Sequence, residues 1–172
     1  MVESPVGSVI AEVISRFVSV FPTFEVVPET MAGVAWVRGK CRPIKSGCVY
    51  FYWPFWTELE LVSIVRQTLN LQSYCLTTND GISVLIGVVV VFEVTDPVSL
   101  LTKLHDHEDA IGDIVAGSLV KMVSGHTYDE LRTEETNLKK DVAKQLKSYG
   151  IKTHNVFVNE IGKSRIFRLV GE

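Results

Sequence analysis

Two imidazoles and three carboxylates stand together in the run His105-Asp106-His107-Glu108-Asp109, and both donor types bind divalent metal ions. The run also joins two helical stretches, where acidic side chains oppose the partial positive charge of a helix N-terminus. It is read here as a solvated inter-helix loop, and no metal is expected. His126 and His154 lack a Ser or Cys partner in a nucleophile elbow or Cys-His motif, and the chain has no phosphate-cradling glycine loop. No catalytic residue and no cofactor follow, so the chain is expected not to be an enzyme. Cys41, Cys48 and Cys75 are odd in number and dispersed, a pattern of free thiols in a reducing compartment.

The other chemically distinctive stretch is Gly47 to Trp56, GCVYFYWPFW, with six aromatic residues in the seven positions from Tyr50 to Trp56. Base stacking, a membrane contact and a packed core would each use such residues. Arg38, Lys40, Arg42 and Lys45 lie nearby, but the net charge is −3, the pI is about 5.8 and no RNP-like motif occurs. No nucleic-acid partner is expected. Alternation along a strand sends every other side chain inward, so at least half of these rings are expected in the core. Trp53, Phe55 and Trp56, around the Pro54 turn, are expected at a membrane or partner contact.

These side chains need elements to position them. Residues 5–21 repeat with helical period: Val6, Val9, Ile10, Val13, Ile14, Phe17, Val20 and Phe21 fall on one half of the wheel, and Ser8, Glu12, Ser15, Arg16 and Ser19 on the other. Pro22 ends this amphipathic helix. Its apolar face suits its own domain, a membrane surface or a neighbouring subunit, and Val6, Ile10, Val13, Ile14, Phe17 and Phe21 are its candidate contact residues. Arg16 is the single cation on the polar face, few for anionic lipid.

Strands are predicted over 24–27 and 32–37, turns over 39–47, and a strand with unsettled facing over 59–66. Residues 69–77 and 82–94 flank Asn79-Asp80-Gly81, a hairpin signal. The second arm is apolar at nearly every position and is expected to be central, with both faces buried. Asp96-Pro97 opens a helix to about 104. A second helix, over about 107–124, carries Ile111, Ile114, Val115, Leu119 and Met122 on one stripe. Thr127 to Glu130 forms a capping-box pattern opening a third helix to about 149. Leu131, Leu138, Val142, Leu146 and Tyr149 line that helix, and Glu135 and Lys139 stand at i,i+4. Gly150 stops it. Ile151, Val156, Val158 and Ile161 suggest a strand, and 165–170 a last short one. This order is α+β.

The 172 residues are 47% hydrophobic and 22% charged, a folded composition, and a mean hydropathy of +0.23 leaves apolar surface for a partner or a membrane. The most apolar run, Ile82 to Phe92, is shorter than the roughly 20 residues of a spanning helix. The start shows neither a basic n-region nor a cleavage site, so residence on the cytoplasmic side is the default.

Taken in order, several stretches resemble the SPFH, or band 7, domain of stomatins, prohibitins and flotillins. They are G-V-A-W-V-R-G-K (33–40), the 47–55 aromatic segment with its Pro-Phe, T-N-D-G-I-S-V (78–84), F-E-V-T-D-P (92–97), E-D-A-I (108–111), T-Y-D-E-L (127–131) and Y-G-I with the strand after it (149–158). The similarity covers about residues 26–161. The Gly47 to Pro54 spacing is one residue longer than the family's usual one. The hydrophobic anchor and coiled coil that usually flank the domain are not recognised in this chain. The resemblance implies an α+β fold in three parts: an amphipathic helix (1–22), a β-rich subregion (23–96) and a helical subregion with closing strands (97–172). It implies a non-enzymatic homo-oligomeric scaffold, built as a ring or cage on the cytoplasmic face of a membrane, which contacts lipid and organises other proteins. The shoulder of the major vault protein is similar too, so a soluble ring or shell component of a larger particle is the alternative.

Overall fold

The computed structural model describes residues 21–131 and 134–163. The helix expected over 5–21, Phe21 excepted, and the strand expected over 165–170 lie outside them. The chain divides into two compact units, the first ending at Ile64 and the second beginning at Val65. The change from strands to helices at residues 96–97 falls inside the second unit.

The first unit holds β1 (Thr23–Val27), β2 (Met31–Val37), β3 (Lys40–Ile44), β4 (Cys48–Tyr52) and β5 (Thr57–Ser63). β1 and β4 pair as an antiparallel two-stranded ribbon, and β2 lies between β3 and β5. Val27, Ala35 and Ile44 form one core cluster, with Val37, Cys48, Tyr50, Leu59 and Leu61 packed around them, and Ala32, Val34 and Val62 are buried as well. β3 replaces most of the turn expected over 39–47, because Arg38 and Gly39 alone close the β2–β3 hairpin. Pro43 and the charges of KCRPI disguise this strand; as the edge of its sheet, β3 tolerates a residue without an N–H.

Gly33, in the middle of β2, has a specific steric reason. A Cβ there would lie 1.9 Å from the Glu60 carbonyl oxygen of the neighbouring strand, a gap that only glycine leaves open.

The second unit is built on β8 (Ser83–Val94). β9 (Ile151–Lys163) pairs along one edge, and β6 (Gln67–Asn70) and β7 (Tyr74–Thr77) succeed each other along the other. The single strand expected over 69–77 is thus two strands. The chain between them keeps one tie to β8, from Leu71 N–H to the Val88 carbonyl. Val84, Ile86, Val88, Val90, Phe92 and Val94 are buried. On the opposite face Leu85 is 40% exposed and Val89 and Val91 are half-buried. β8 is central as expected, but only one of its faces is fully buried.

Among the described residues three helices complete the unit: α1 (Pro97–Lys103), α2 (His107–Gly125) and α3 (Glu135–Lys147). Asp96 caps α1 by accepting from Ser99 N–H at 3.2 Å. α2 packs against β7 and α3 against β9, and the two helices pack on each other. Ile111, Val115, Leu119, Leu138, Val142 and Leu146 fill the core, each contributing about 2 kcal/mol of burial. The capping box exists but closes a separate turn: Glu130 Oε2 accepts from Thr127 N–H at 2.9 Å, and α3 starts only at Glu135. Glu135 and Lys139 do not pair with each other as expected. Each reaches β9 instead, Glu135 accepting from Val158 N–H at 3.2 Å and Lys139 donating to Asn155 Oδ1 at 3.0 Å.

Gly150, at φ 77°, follows α3. Its carbonyl accepts from Thr95 and Asp96 N–H, and a Cβ would meet the Asp96 carbonyl at 2.6 Å.

His154 and Glu93 clamp β9 to β8. Arg66 Nη2 donates to His154 Nδ1 at 3.5 Å, which leaves Nε2–H to donate to Glu93 Oε2 at 2.6 Å, while Lys152 Nζ stands 3.4 Å from Oε1. The bond from His154 holds the Glu93 carboxyl below its ordinary value of 4.5. A depressed carboxylate stabilises the fold above its unfolded value, and that contribution is lost as pH falls from about 4.5 through the folded value. Asp80, Asp96 and Glu130 are also held low, chiefly by bonds from Thr78, Ser99 and the Thr127 N–H respectively.

Two outcomes are expected. Gly33→Ala lowers unfolding free energy by roughly 2 to 3 kcal/mol through overpacking against β5, as read by urea denaturation. Glu93→Gln shrinks the loss of thermal stability between about pH 4.5 and pH 3 relative to wild type, as read by melting temperature across that range; an unchanged acid limb would count against the clamp.

Candidate interaction surface

The ribbon of β1 and β4 has two unlike faces because its residues alternate. Phe24 lies opposite Phe51 and Val26 opposite Val49, and all four point outward, exposed at 67%, 63%, 64% and 65%. The other face carries buried Val27 and half-buried Cys48, Tyr50 and Tyr52. Tyr50 and Tyr52 stack with ring centroids 6.2 Å apart.

Beyond β4 the chain turns at Pro54, where the Trp53 carbonyl accepts from Trp56 N–H at 3.2 Å and Thr57 N–H at 3.1 Å. Trp53, Phe55 and Trp56 are exposed. Phe55 meets Trp56 edge to face at 4.7 Å, and the Arg38 guanidinium lies 5.3 Å from the Trp56 ring centroid. The Arg38 N–H also donates to the Trp56 carbonyl at 3.1 Å, so this loop is held to the β2–β3 turn. Phe21, just before β1, is exposed as well.

This surface corrects one expectation. Of the six rings from Tyr50 to Trp56, Tyr50 and Tyr52 are half-buried and the other four are exposed, so fewer than half are in the core. The cause is the ribbon itself: with two strands, only one face has a sheet to pack against. Among the residues singled out from the sequence, Phe21, Trp53, Phe55 and Trp56 are exposed in the first unit, while Val6, Ile10, Val13, Ile14 and Phe17 lie outside the described residues. Phe24, Val26, Val49 and Phe51 were missed. The signal was there, as two short segments alternating apolar residues in register, but the additional aromatics at Tyr50 and Tyr52 masked the alternation.

The histidine and carboxylate candidates belong to the second unit. His105, Asp106, Glu108 and Asp109 are exposed, and Asp106 caps α2 without a side-chain hydrogen bond. No group of three or more His, Cys, Asp or Glu among the described residues is arranged to hold a metal ion. His126 Nδ1 donates to the Met122 carbonyl at 2.8 Å, and its Nε2 lies 3.8 Å from Glu134. Cys41, Cys48 and Cys75 are free thiols.

The sequence pattern of the SPFH domain / Band 7 family matches residues 25–167, and the chain belongs to this family. It is 22% identical over 163 residues to a stomatin homolog of Pyrococcus abyssi, covering 91% of this chain and 61% of that protein. A stomatin homolog of Pyrococcus horikoshii is also 22% identical, with 88% and 59% covered. Stomatin-1 of Caenorhabditis elegans is 22% identical, with 84% and 45% covered. The chain therefore spans about half the length of the curated relatives it matches. The α+β fold agrees with the family.

Because Phe24 and Phe51 are about two-thirds exposed, the double variant Phe24→Ser/Phe51→Ser should shift folding stability by less than about 1 kcal/mol. Val27→Ala, on the opposite face of the same strand, should cost about 2 kcal/mol. Urea denaturation of both variants measures the contrast.

Proposed function

We propose that this chain is a non-enzymatic, homo-oligomeric scaffold that lies against a membrane through the outward face of the β1–β4 ribbon and the Trp53–Trp56 turn. The observation that carries the reading is the ribbon's outward face, where four large apolar side chains stand in two directly opposed pairs, each about two-thirds exposed. Monomeric proteins rarely leave so contiguous an apolar patch uncovered. Tryptophans beside it suit the headgroup level of a bilayer, where an apolar body and a polar edge are both satisfied. Arg38, already stacked on Trp56, adds a cation at the same level.

Membership of the SPFH family and likeness to stomatin homologs support association with a membrane. Among the described residues no helix is long and apolar enough to cross one, and the ribbon supplies a surface that needs none. Oligomerisation suits this mode of contact, because a shallow apolar face binds weakly in one copy and firmly in many. The non-enzymatic reading rests on the family and on a sequence that carries no nucleophile–base or phosphate-binding motif.

Flotation with phosphatidylcholine/phosphatidylserine vesicles tests the contact. Phe24→Ser/Phe51→Ser should lower the apparent affinity at least about tenfold, since each buried Phe contributes about 2 kcal/mol of transfer free energy. Equal flotation of this variant and wild type removes the ribbon as the membrane surface.

A further inference from the structure

Among the described residues β9 is the longest strand, and it pairs with β8 alone. Its other edge has no strand beside it. α3 lies along β9 in the opposite direction, with Glu135 beside Val158 and Lys147 beside Ile151. Glu135, Lys139, Ala143 and Lys147, each four residues from the last, follow one side of the helix. Between this side and β9 lie two hollows in succession. The first, of about 310 Å³, is bounded by Ala143, Lys147, Ile151 and Thr153, and the second, of about 400 Å³, by Glu135, Lys139, Asn155 and Phe157.

Side chains already stand in for a strand along the second hollow. Glu135 Oε1 accepts from the Val158 N–H at 3.2 Å, as the carbonyl of an adjacent strand would, and Lys139 Nζ donates to Asn155 Oδ1 at 3.0 Å. Neither residue borders the first hollow. There the Thr153 hydroxyl oxygen is buried without a hydrogen-bond partner among the described residues, although buried hydroxyls are ordinarily paired. The two ends of the groove also differ in charge, with Lys147 and Lys152 at the Ile151 end and Glu135 at the Val158 end. Lys152 is engaged by Glu93 at 3.4 Å. Lys147 is exposed and has no ion-pair partner among the described residues.

We propose that this groove captures the C-terminal tail of a partner protein, which adds to β9 as an extended antiparallel strand. Every strand pairing among the described residues is antiparallel. In that direction the last residue of the tail falls beside Ile151, which brings its terminal carboxylate to Lys147 and leaves Glu135 facing the upstream main chain. Complementary charge therefore selects a chain end and sets its orientation. Main-chain hydrogen bonds to the open edge supply affinity, and the hollow over Ala143 and Ile151 selects an apolar side chain near the terminus. A main-chain group of the tail gives the Thr153 hydroxyl the partner it lacks. From Ile151 to Asn155 the edge spans about 17 Å, room for about five extended residues. The groove lies wholly in the second unit, so the inference goes beyond the membrane contact and does not depend on it.

Panning a library of random heptapeptides, displayed with free C-termini, on the full chain tests the proposal. The best-enriched sequence is then made as a fluorescein-labelled acid and as its C-terminal amide, and both are titrated by fluorescence polarisation. The acid should bind at least about tenfold more tightly than the amide, as a lost charge-assisted bond requires. Lys147→Glu should weaken the acid at least about tenfold and change the amide less than about threefold, a split that mere unfolding would not produce. Ala143→Trp, which fills the first hollow, should abolish binding of both at an unchanged melting temperature. Phe24→Ser/Phe51→Ser should bind the peptide as wild type does, whatever its flotation. If no sequence is enriched, acid and amide bind alike, or neither groove variant weakens binding, the inference is wrong and the scaffold reading stands. Self-association abolished by Ala143→Trp, with no peptide selected, assigns the groove to a second copy and equally overturns it.

Discussion

Pairing of β8 along both edges is the constraint on which the second unit depends. Its twelve residues bond to β9 on one side and to β6 and β7 on the other, so partners from residues 67–77 and 151–163 must converge on one strand. Once they do, the row from Val84 to Val94 is presented as a continuous apolar face, and the helices have a surface to cover. β9 follows β8 through two register shifts. Its inward residues therefore change from odd to even numbers and back, from Ile151 and Thr153 to Val156 and Val158 and then Ile161. The extra residues are put to use: His154 reaches Glu93, and Asn159 lies over Gly87, where a side chain would meet its Oδ1 at 2.5 Å.

The first unit works on a smaller margin. One cluster of its core is a few side chains between the ribbon and the β3–β2–β5 sheet, Ala32, Val34 and Val62 are buried on the sheet's other face, and Gly33 lets β2 and β5 approach closely. A two-stranded ribbon cannot bury both of its faces in such a unit. The apolar residues on its outer side are therefore exposed in the isolated chain, at a cost that the contact proposed above would offset.

Local signals with a single physical cause were legible in the sequence. Asn79-Asp80-Gly81 marks the β7–β8 hairpin, Asp96-Pro97 opens α1, and the stripes of α2 and α3 fill the core as their periodicity requires. Signals that depend on a distant partner were not. Nothing in KCRPI announces a strand until β2 lies beside it. The capping box at Thr127 satisfies its local hydrogen bond without propagating into a helix. The uninterrupted apolar run of β8 looked the same whether both of its faces were covered or one. The candidate surface was half legible: the aromatic turn was evident, but the opposed pairs of the ribbon emerge only when residues 23–27 and 48–52 are set in register. Periodicity and turn signals supplied the order of elements, and the family resemblance matched that order to a known domain.

In that ribbon, core-facing and outward-facing side chains alternate residue by residue. The two sets are consequently separable in inheritance. Under the membrane contact proposed above, substitutions at Phe24, Val26, Val49 and Phe51 would change where the molecule resides while Val27, Cys48 and Tyr50 keep the packing of the unit. Under that proposal a lineage could move the same fold from one surface to another without passing through an unfolded intermediate sequence.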